Sequence, residues 1–159
     1  VGGADSGGRR GRITRFGGVV TNMTPSALAL TPRQRERLDS EDVVWLTTIN
    51  ASQTLVPTPV WFLWSGEQFL IFSEPRTPKL ANIARGGVTV NFNCTSGGGD
   101  VAVLTGDADE DPTGPTGAEW DAYVSKYREA MSGMDYTPEK FRAKYSTLIR
   151  VTPQRVRGW

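Results

Sequence analysis

Short runs in which β-branched and aromatic residues alternate with polar ones recur along most of this chain. They cover residues 43–50 (VVWLTTIN), 54–64 (TLVPTPVWFLW), 68–73 (QFLIFS), 88–94 (VTVNFNC), 101–108 (VAVLTGDA) and 146–151. Each is bounded by turn formers, which is how strands read. The polar stretch 50–53, Ser65-Gly66 and the Gly-rich 95–99 join successive runs closely enough for hairpins, so the pattern predicts an antiparallel barrel. Pro57 and Pro59 have no N–H for a ladder, which places residues 56–60 at a sheet edge or barrel opening.

Helical signals fall between these runs. Thr31-Pro32 followed by Gln34 is an N-cap, a proline in the first turn and a capping-box partner. Thr77-Pro78 and Thr137-Pro138 repeat the opening. The longest helix is predicted over residues 116–131, with Trp120, Tyr123, Tyr127 and Met131 on one apolar face, read as a packing face. The architecture is therefore mainly β, with helices as connectors and end-caps.

Composition narrows the chemistry. The 159 residues include no His and a single Cys, Cys94. That excludes Ser-His-Asp and Cys-His nucleophiles, His-ligated zinc and proximal-His haem, and leaves no internal disulfide. No metal site is expected. With no run long and apolar enough for a membrane span and no signal-peptide core, the chain reads as cytoplasmic. Charge is uneven: residues 1–37 carry seven Arg (9, 10, 12, 15, 33, 35 and 37) against two acids, and seven of the 18 Gly lie in the first 18 positions. Residues 1–30 are expected to be a Gly/Arg-rich tail and 31–159 one domain. The tail has no aromatic interleaving beyond Phe16, so nucleic-acid binding is disfavoured. The acidic group Asp107, Asp109, Glu110 and Asp111 lacks the ligand alternation of a calcium loop and reads as a solvated turn.

One segment resists a purely structural reading. In Ser73-Glu74-Pro75-Arg76-Thr77-Pro78-Lys79, two cations flank a helix start, where the macrodipole disfavours positive charge. An anion held there by Ser73, Arg76, Thr77 and Lys79 makes sense of the arrangement. An ordinary exposed loop with two solvated bases is the alternative. Beside it stand Val60, Trp61, Phe62 and Trp64, flat side chains near an opening, the setting for a planar phosphorylated ring; core packing is the alternative for at least two of the three aromatics.

The ordered set PVWFLWSGEQFLIFSEPRTPKLANI, VTVNFN, GGDVAVLTGDA, YTPEKFRAKYS and IRVTPQRVRGW resembles the pyridoxamine-phosphate-oxidase-like split barrels, and among them the branch of F420-dependent oxidoreductases. The resemblance implies a six-stranded antiparallel Greek-key barrel of the FMN-binding split-barrel type. It implies a homodimer with cofactor sites at the subunit interface. It places Pro59, Val60, Trp61 and Phe62 alongside the cofactor ring, Ser73, Arg76, Thr77 and Lys79 at its phosphate, and Asn82-Ile83 at the family's NL/NI pair. It implies hydride transfer between reduced F420 and a conjugated or aromatic acceptor. FMN on the same fold, a non-catalytic F420 carrier and a haem-handling split barrel stand as alternatives. No catalytic residue is singled out: Tyr123, Tyr127 and Tyr136 are equal candidates for a proton donor. The bases Lys140, Arg142, Lys144, Arg150, Arg155 and Arg157 would suit the acidic tail of F420, or form a solvated face.

Overall fold

A computed structural model describes residues 28–159; the expectations for residues 1–27 lie outside the described residues. The chain runs α1 (Pro32–Ser40), β1 (Val43–Ile49), β2 (Leu55–Trp61), β3 (Leu63–Ser65), β4 (Gln68–Ser73), α2 (Pro78–Ile83), β5 (Val88–Asn91), β6 (Ala102–Asp111), α3 (Gly117–Gly133), α4 (Pro138–Lys144) and β7 (Thr147–Gly158). All strands join one antiparallel sheet in the order β2-β1-β5-β6-β7-β4-β3.

The two outermost strands of that order are neighbours in sequence, separated only by Phe62. Both edges of the sheet therefore meet at one residue, and the sheet closes on itself as a barrel. The run 54–64, expected as one strand, pairs with β1 up to Val43↔Trp61 and with β4 from Leu63↔Leu70. The strand count is thus seven where six were expected, because one continuous run changes partner at Phe62. β2 is an edge of the ladder, as its two prolines require.

A broken ladder leaves backbone groups that must find other partners. At Phe62 the partner is a side chain: the Tyr127 hydroxyl on α3 accepts from the Phe62 N–H at 2.9 Å and lies 2.7 Å from both the Phe62 and the Asp42 carbonyl oxygens. With one proton, it donates to one of those carbonyls at a time. Burial pushes its pKa well above the ordinary tyrosine value.

Period-two geometry then divides β4 between two cores. Phe69 and Ile71 point into the barrel with Val44, Leu46, Val90, Leu104 and Ile149, whereas Leu70 and Phe72 face Tyr123, Tyr127, Met131 and Phe141 of α3 and α4. The expected apolar face of α3 is that second core's wall. Leu28, in the stretch expected to be tail, is buried in the barrel core.

Two expectations are corrected on β6 and β7. The acidic group 107–111 is not a turn but the end of β6, paired with β7 up to Asp111↔Leu148. β7 does not stop at Val151; it continues to Gly158 through Pro153. A register shift between Thr105 and Gly106 sits opposite that proline, and the strands approach so closely there that a Cβ on Gly106 would lie 2.0 Å from the Thr152 carbonyl oxygen.

Cross-strand charge explains why acids tolerate this ladder. Arg150 on β7 bonds Asp111 at 2.7 Å and grips Glu119 of α3 through two nitrogens at 2.9 and 3.0 Å. These bonds hold both carboxyls below the usual carboxylate range. Depressed values in the folded state mean a stabilisation that is complete above the unfolded values of ~3.9 and ~4.3 and is lost as pH falls through the folded ones. The urea midpoint is therefore expected to hold steady from neutral pH to about 5 and to fall below about 4. Arg150→Gln should lower the neutral midpoint and flatten the acid limb; an acid limb unchanged by that substitution would remove this cluster as its cause.

At the other end of the barrel Arg37, 2% exposed, leaves the basic N-terminal group to become a tie. It bonds Glu41 and the carbonyls of Asn93 and Asp100, and lies 4.8 Å from the Phe92 ring centroid. Arg33 pairs with Asp100 and Glu36. Among the described residues no helix is long and apolar enough to cross a membrane.

Candidate functional site

A cleft of about 320 Å³ opens where β2, the β4–α2 connection and the α3–α4 corner converge. Thr58, Pro59, Val60 and Trp61 form the β2 wall. The break at Phe62 sets that wall, because Tyr127 fixes the backbone next to Trp61 and stacks on the Trp61 ring at 4.5 Å with 3° between planes. Phe141 stacks near Trp61 at 5.7 Å.

The polar end belongs to β4 and α2. Strand geometry turns Ser73 inward at the end of β4, and α2 begins five residues later. Thr77 stands at the N-cap position as expected, but its hydroxyl does not cap the helix. In α1, α3 and α4 the equivalent threonines, Thr31, Thr116 and Thr137, each accept from a backbone N–H three residues on. Thr77 instead lies 3.0 Å from the Ser73 hydroxyl, and the Lys79 ammonium donates to Ser73 at 3.2 Å. Burial pulls the Lys79 pKa down, with Glu74 opposing. Glu74 also lines the cleft but leans to Lys144, 3.5 Å away.

An ammonium and two hydroxyls converging at the end of an apolar slot fit an oxyanion attached to a flat ring. The donors are present, the cation is partly desolvated so that an anion would gain from it, and the adjoining wall is made of Pro59, Val60 and Trp61.

Of the residues assigned from sequence, Pro59, Val60, Trp61, Ser73, Thr77 and Lys79 line this cleft. Arg76 is exposed, in a left-handed turn at φ 61°, and makes no ion pair or side-chain hydrogen bond among the described residues. Phe62 is inside the barrel, packed edge-on to Phe69 and Phe92. Asn82 is buried and donates to the Thr48 hydroxyl at 3.1 Å, tying α2 to β1, and Ile83 is part of the barrel core. None of those four lines the cleft. The six C-terminal bases do not line it either: Arg150 is held by Asp111 and Glu119, Lys144 by Glu74 and the Tyr136 hydroxyl, and Arg142 donates to the Ser146 carbonyl.

Sequence reasoning missed most of the aromatic end of the cleft, naming from it only Tyr123, as one of three candidate proton donors. Phe72, Tyr123, Phe141 and Tyr145 line it, with Met134 at the corner. The signal was there in part: Phe141 and Tyr145 are spaced i, i+4, and Tyr123 belongs to the α3 stripe read as packing. Their convergence with β2 depends on how α3 and α4 dock, which no local pattern encodes.

Comparisons with known proteins bear on the fold. The model of the pyridoxamine 5'-phosphate oxidase family matches residues 30–159. Among solved structures, an F420 reductase is 21% identical, with 77% of this chain and 94% of that one covered and a TM-score of 0.59. The haem storage protein HutZ from Vibrio cholerae is 12% identical, covering 81% and 94%, at a TM-score of 0.61. An FAD-binding protein from Mesorhizobium loti is 17% identical, covering 80% and 92%, at 0.57. At these identities the likeness is one of fold. Among curated proteins no sequence matches.

Proposed function

Because the chain belongs to the pyridoxamine 5'-phosphate oxidase family over residues 30–159, we propose that it is an oxidoreductase whose cleft holds the deazaflavin F420 and brings it against a conjugated or aromatic acceptor. The observation that carries this reading is the inward-turned Lys79, bonded to Ser73 beside Thr77 at the polar end of an aromatic cleft. When bound, reduced F420 supplies a hydride from the C5 position of its ring, so the protein's part is binding, orientation and field, which requires no histidine.

Each residue's part follows from its place. Lys79 donates to the phosphate and neutralises it, with Ser73 and Thr77 adding neutral donors. Pro59, Val60 and Trp61 provide the flat wall for the ring, and Tyr127 keeps that wall in place by holding the Phe62 backbone. Phe141 and Tyr145 exclude water from the aromatic end.

A homodimer with the cleft completed at the subunit boundary belongs to the same reading. Supporting it, the cleft is open, and the half-buried Val43, Trp45 and Ile49 of β1 and Leu55 of β2, the last 68% exposed, leave apolar surface on the outer face of these strands. Light scattering at twice the chain's 17.4 kDa checks it, and the single-chain mass would contradict it.

FMN is the second reading, since the same donors suit its phosphate. Titration with F420 and with FMN, followed through tryptophan fluorescence because Trp61 lines the cleft, separates the two. Saturable quenching by F420 is expected; quenching by FMN alone would replace the cofactor, and quenching by neither would end the proposal.

A further inference from the structure

The structure gives the Tyr127 hydroxyl hydrogen-bond partners and gives the Tyr123 hydroxyl none among the described residues. Tyr123 is only 1% exposed, yet its hydroxyl makes no hydrogen bond to any described residue. No buried polar side-chain atom among the described residues is left without a partner. Tyr123 lines the cleft, where its hydroxyl has no described partner. Its surroundings are aromatic: Phe72 lies edge-on at 4.7 Å, Tyr127 at 4.7 Å and Phe141 at 6.0 Å. Burial, with Tyr127 and Tyr145 nearby, pushes its pKa well above the ordinary value, so it is a neutral O–H donor. Of the other three tyrosines, Tyr127 is engaged at the strand break and Tyr136 with Lys144, while Tyr145, which also lines the cleft without a hydroxyl partner among the described residues, is half-buried rather than enclosed.

Met134 adds a second unexplained feature at the same place. It caps α3 and is 47% exposed, one of three large apolar side chains that the described residues leave in solvent, and it lines the cleft. The corner that carries it is firmly built, with the Met134 and Tyr136 N–H groups both bonded to the Met131 carbonyl.

We propose that the Tyr123 hydroxyl is a substrate-binding donor: it hydrogen-bonds an oxygen of the acceptor, so the acceptor is a flat, uncharged molecule carrying a carbonyl-type oxygen, covered on its outer side by Met134. This deepens the proposed function and rests on it for the presence of a second ligand in the cleft. A polar group left unpaired in an apolar pocket discriminates strongly for ligands that satisfy it. The two charged residues of the lining are already engaged, Lys79 with Ser73 and Glu74 with Lys144, so a neutral acceptor suits the aromatic remainder of the cleft.

The test compares 2,3-dimethyl-1,4-naphthoquinone with 2,3-dimethylnaphthalene, which lacks both oxygens, binding to the full chain and to Tyr123→Phe by tryptophan quenching. The substitution should weaken the quinone roughly three- to tenfold and leave the hydrocarbon within about twofold. Equal losses for both ligands would make the hydroxyl structural, and no loss for the quinone would make it idle; either overturns the proposal. The infrared carbonyl band of the bound quinone reads the same contact without depending on the variant's folding. A shift to lower frequency in the wild type is expected, and an unshifted band overturns it. F420 titration of Tyr123→Phe keeps the two readings apart. Lost F420 affinity with unchanged quinone binding would assign the hydroxyl to the cofactor and overturn this inference alone, whereas failure of the wild type to bind F420 or FMN would remove the proposed function while the quinone comparison still stands on its own.

Discussion

Tyr127→Phe is expected to destabilise the fold by about 2–4 kcal/mol, with the denaturant slope unchanged. The substitution keeps the ring, and with it the stack on Trp61, but removes the one oxygen that serves the backbone where the barrel strand changes partner. The Phe62 N–H then loses its only acceptor among the described residues, and a carbonyl loses its donor, in a place where Phe62 is fully buried. Leaving a buried donor or acceptor unpaired costs roughly 1–3 kcal/mol each. A urea titration of the two proteins measures the difference. A loss under about 0.5 kcal/mol would show that Phe62 finds another partner and that the closure does not depend on α3. Because Trp61 adjoins the break, ligand binding in the cleft should weaken as well, whereas a mutation elsewhere in the barrel core, such as Ile149→Val, should lower stability by about 0.5–1.5 kcal/mol and spare the cleft.

Lys79→Ala is expected to weaken cofactor binding by about 1.5–3 kcal/mol, the range for a hydrogen bond to a charged group and equal to about tenfold to a hundredfold in Kd. The folded protein should suffer little, because Lys79 packs against no core cluster and makes one hydrogen bond, to Ser73. Its half-buried ammonium is unfavourable until an anion arrives, so stability should hold or rise slightly while affinity falls. Arg76→Ala provides the contrast: its exposed guanidinium is expected to change affinity less than threefold in one protomer's cleft. Equal losses for the two variants, read by fluorescence titration with F420, would mean that both cations reach the phosphate and that the loop at Arg76 folds over the ligand.

Much of this molecule was legible before its coordinates. The β-branched alternation located the six runs that carry the strands, and threonine-proline openings placed α1, α2 and α4, because both signals act within a few residues of chain. Ser73, Thr77 and Lys79 could be picked out because cations at a helix start contradict local electrostatics and so ask for an external cause. Arg76 carried the same signal and faces solvent, since a left-handed turn separates it from Lys79 and sequence spacing does not report that rotation. The partner change at Phe62 was invisible because the run 54–64 stays apolar throughout; the break is dictated by Tyr127, 65 residues away. Arg37 stands in the sequence only as one of seven N-terminal arginines, since nothing local distinguishes an arginine that will meet two carbonyls across the barrel from one in water. The basic run after Tyr136 dispersed for the opposite reason: α4 and β7 point its members in different directions, and Asp111, Glu119 and Glu74 claim two of them.

The central claim is that the Lys79 end of the cleft receives the phosphate of a flat redox cofactor. A crystal structure of the protein grown with F420 tests it most directly. The account predicts a phosphate oxygen within hydrogen-bond distance of the Lys79 ammonium and of the Ser73 and Thr77 hydroxyls, with the ring against Pro59, Val60 and Trp61. F420 bound with its phosphate elsewhere, and Lys79 still turned only to Ser73, would contradict it.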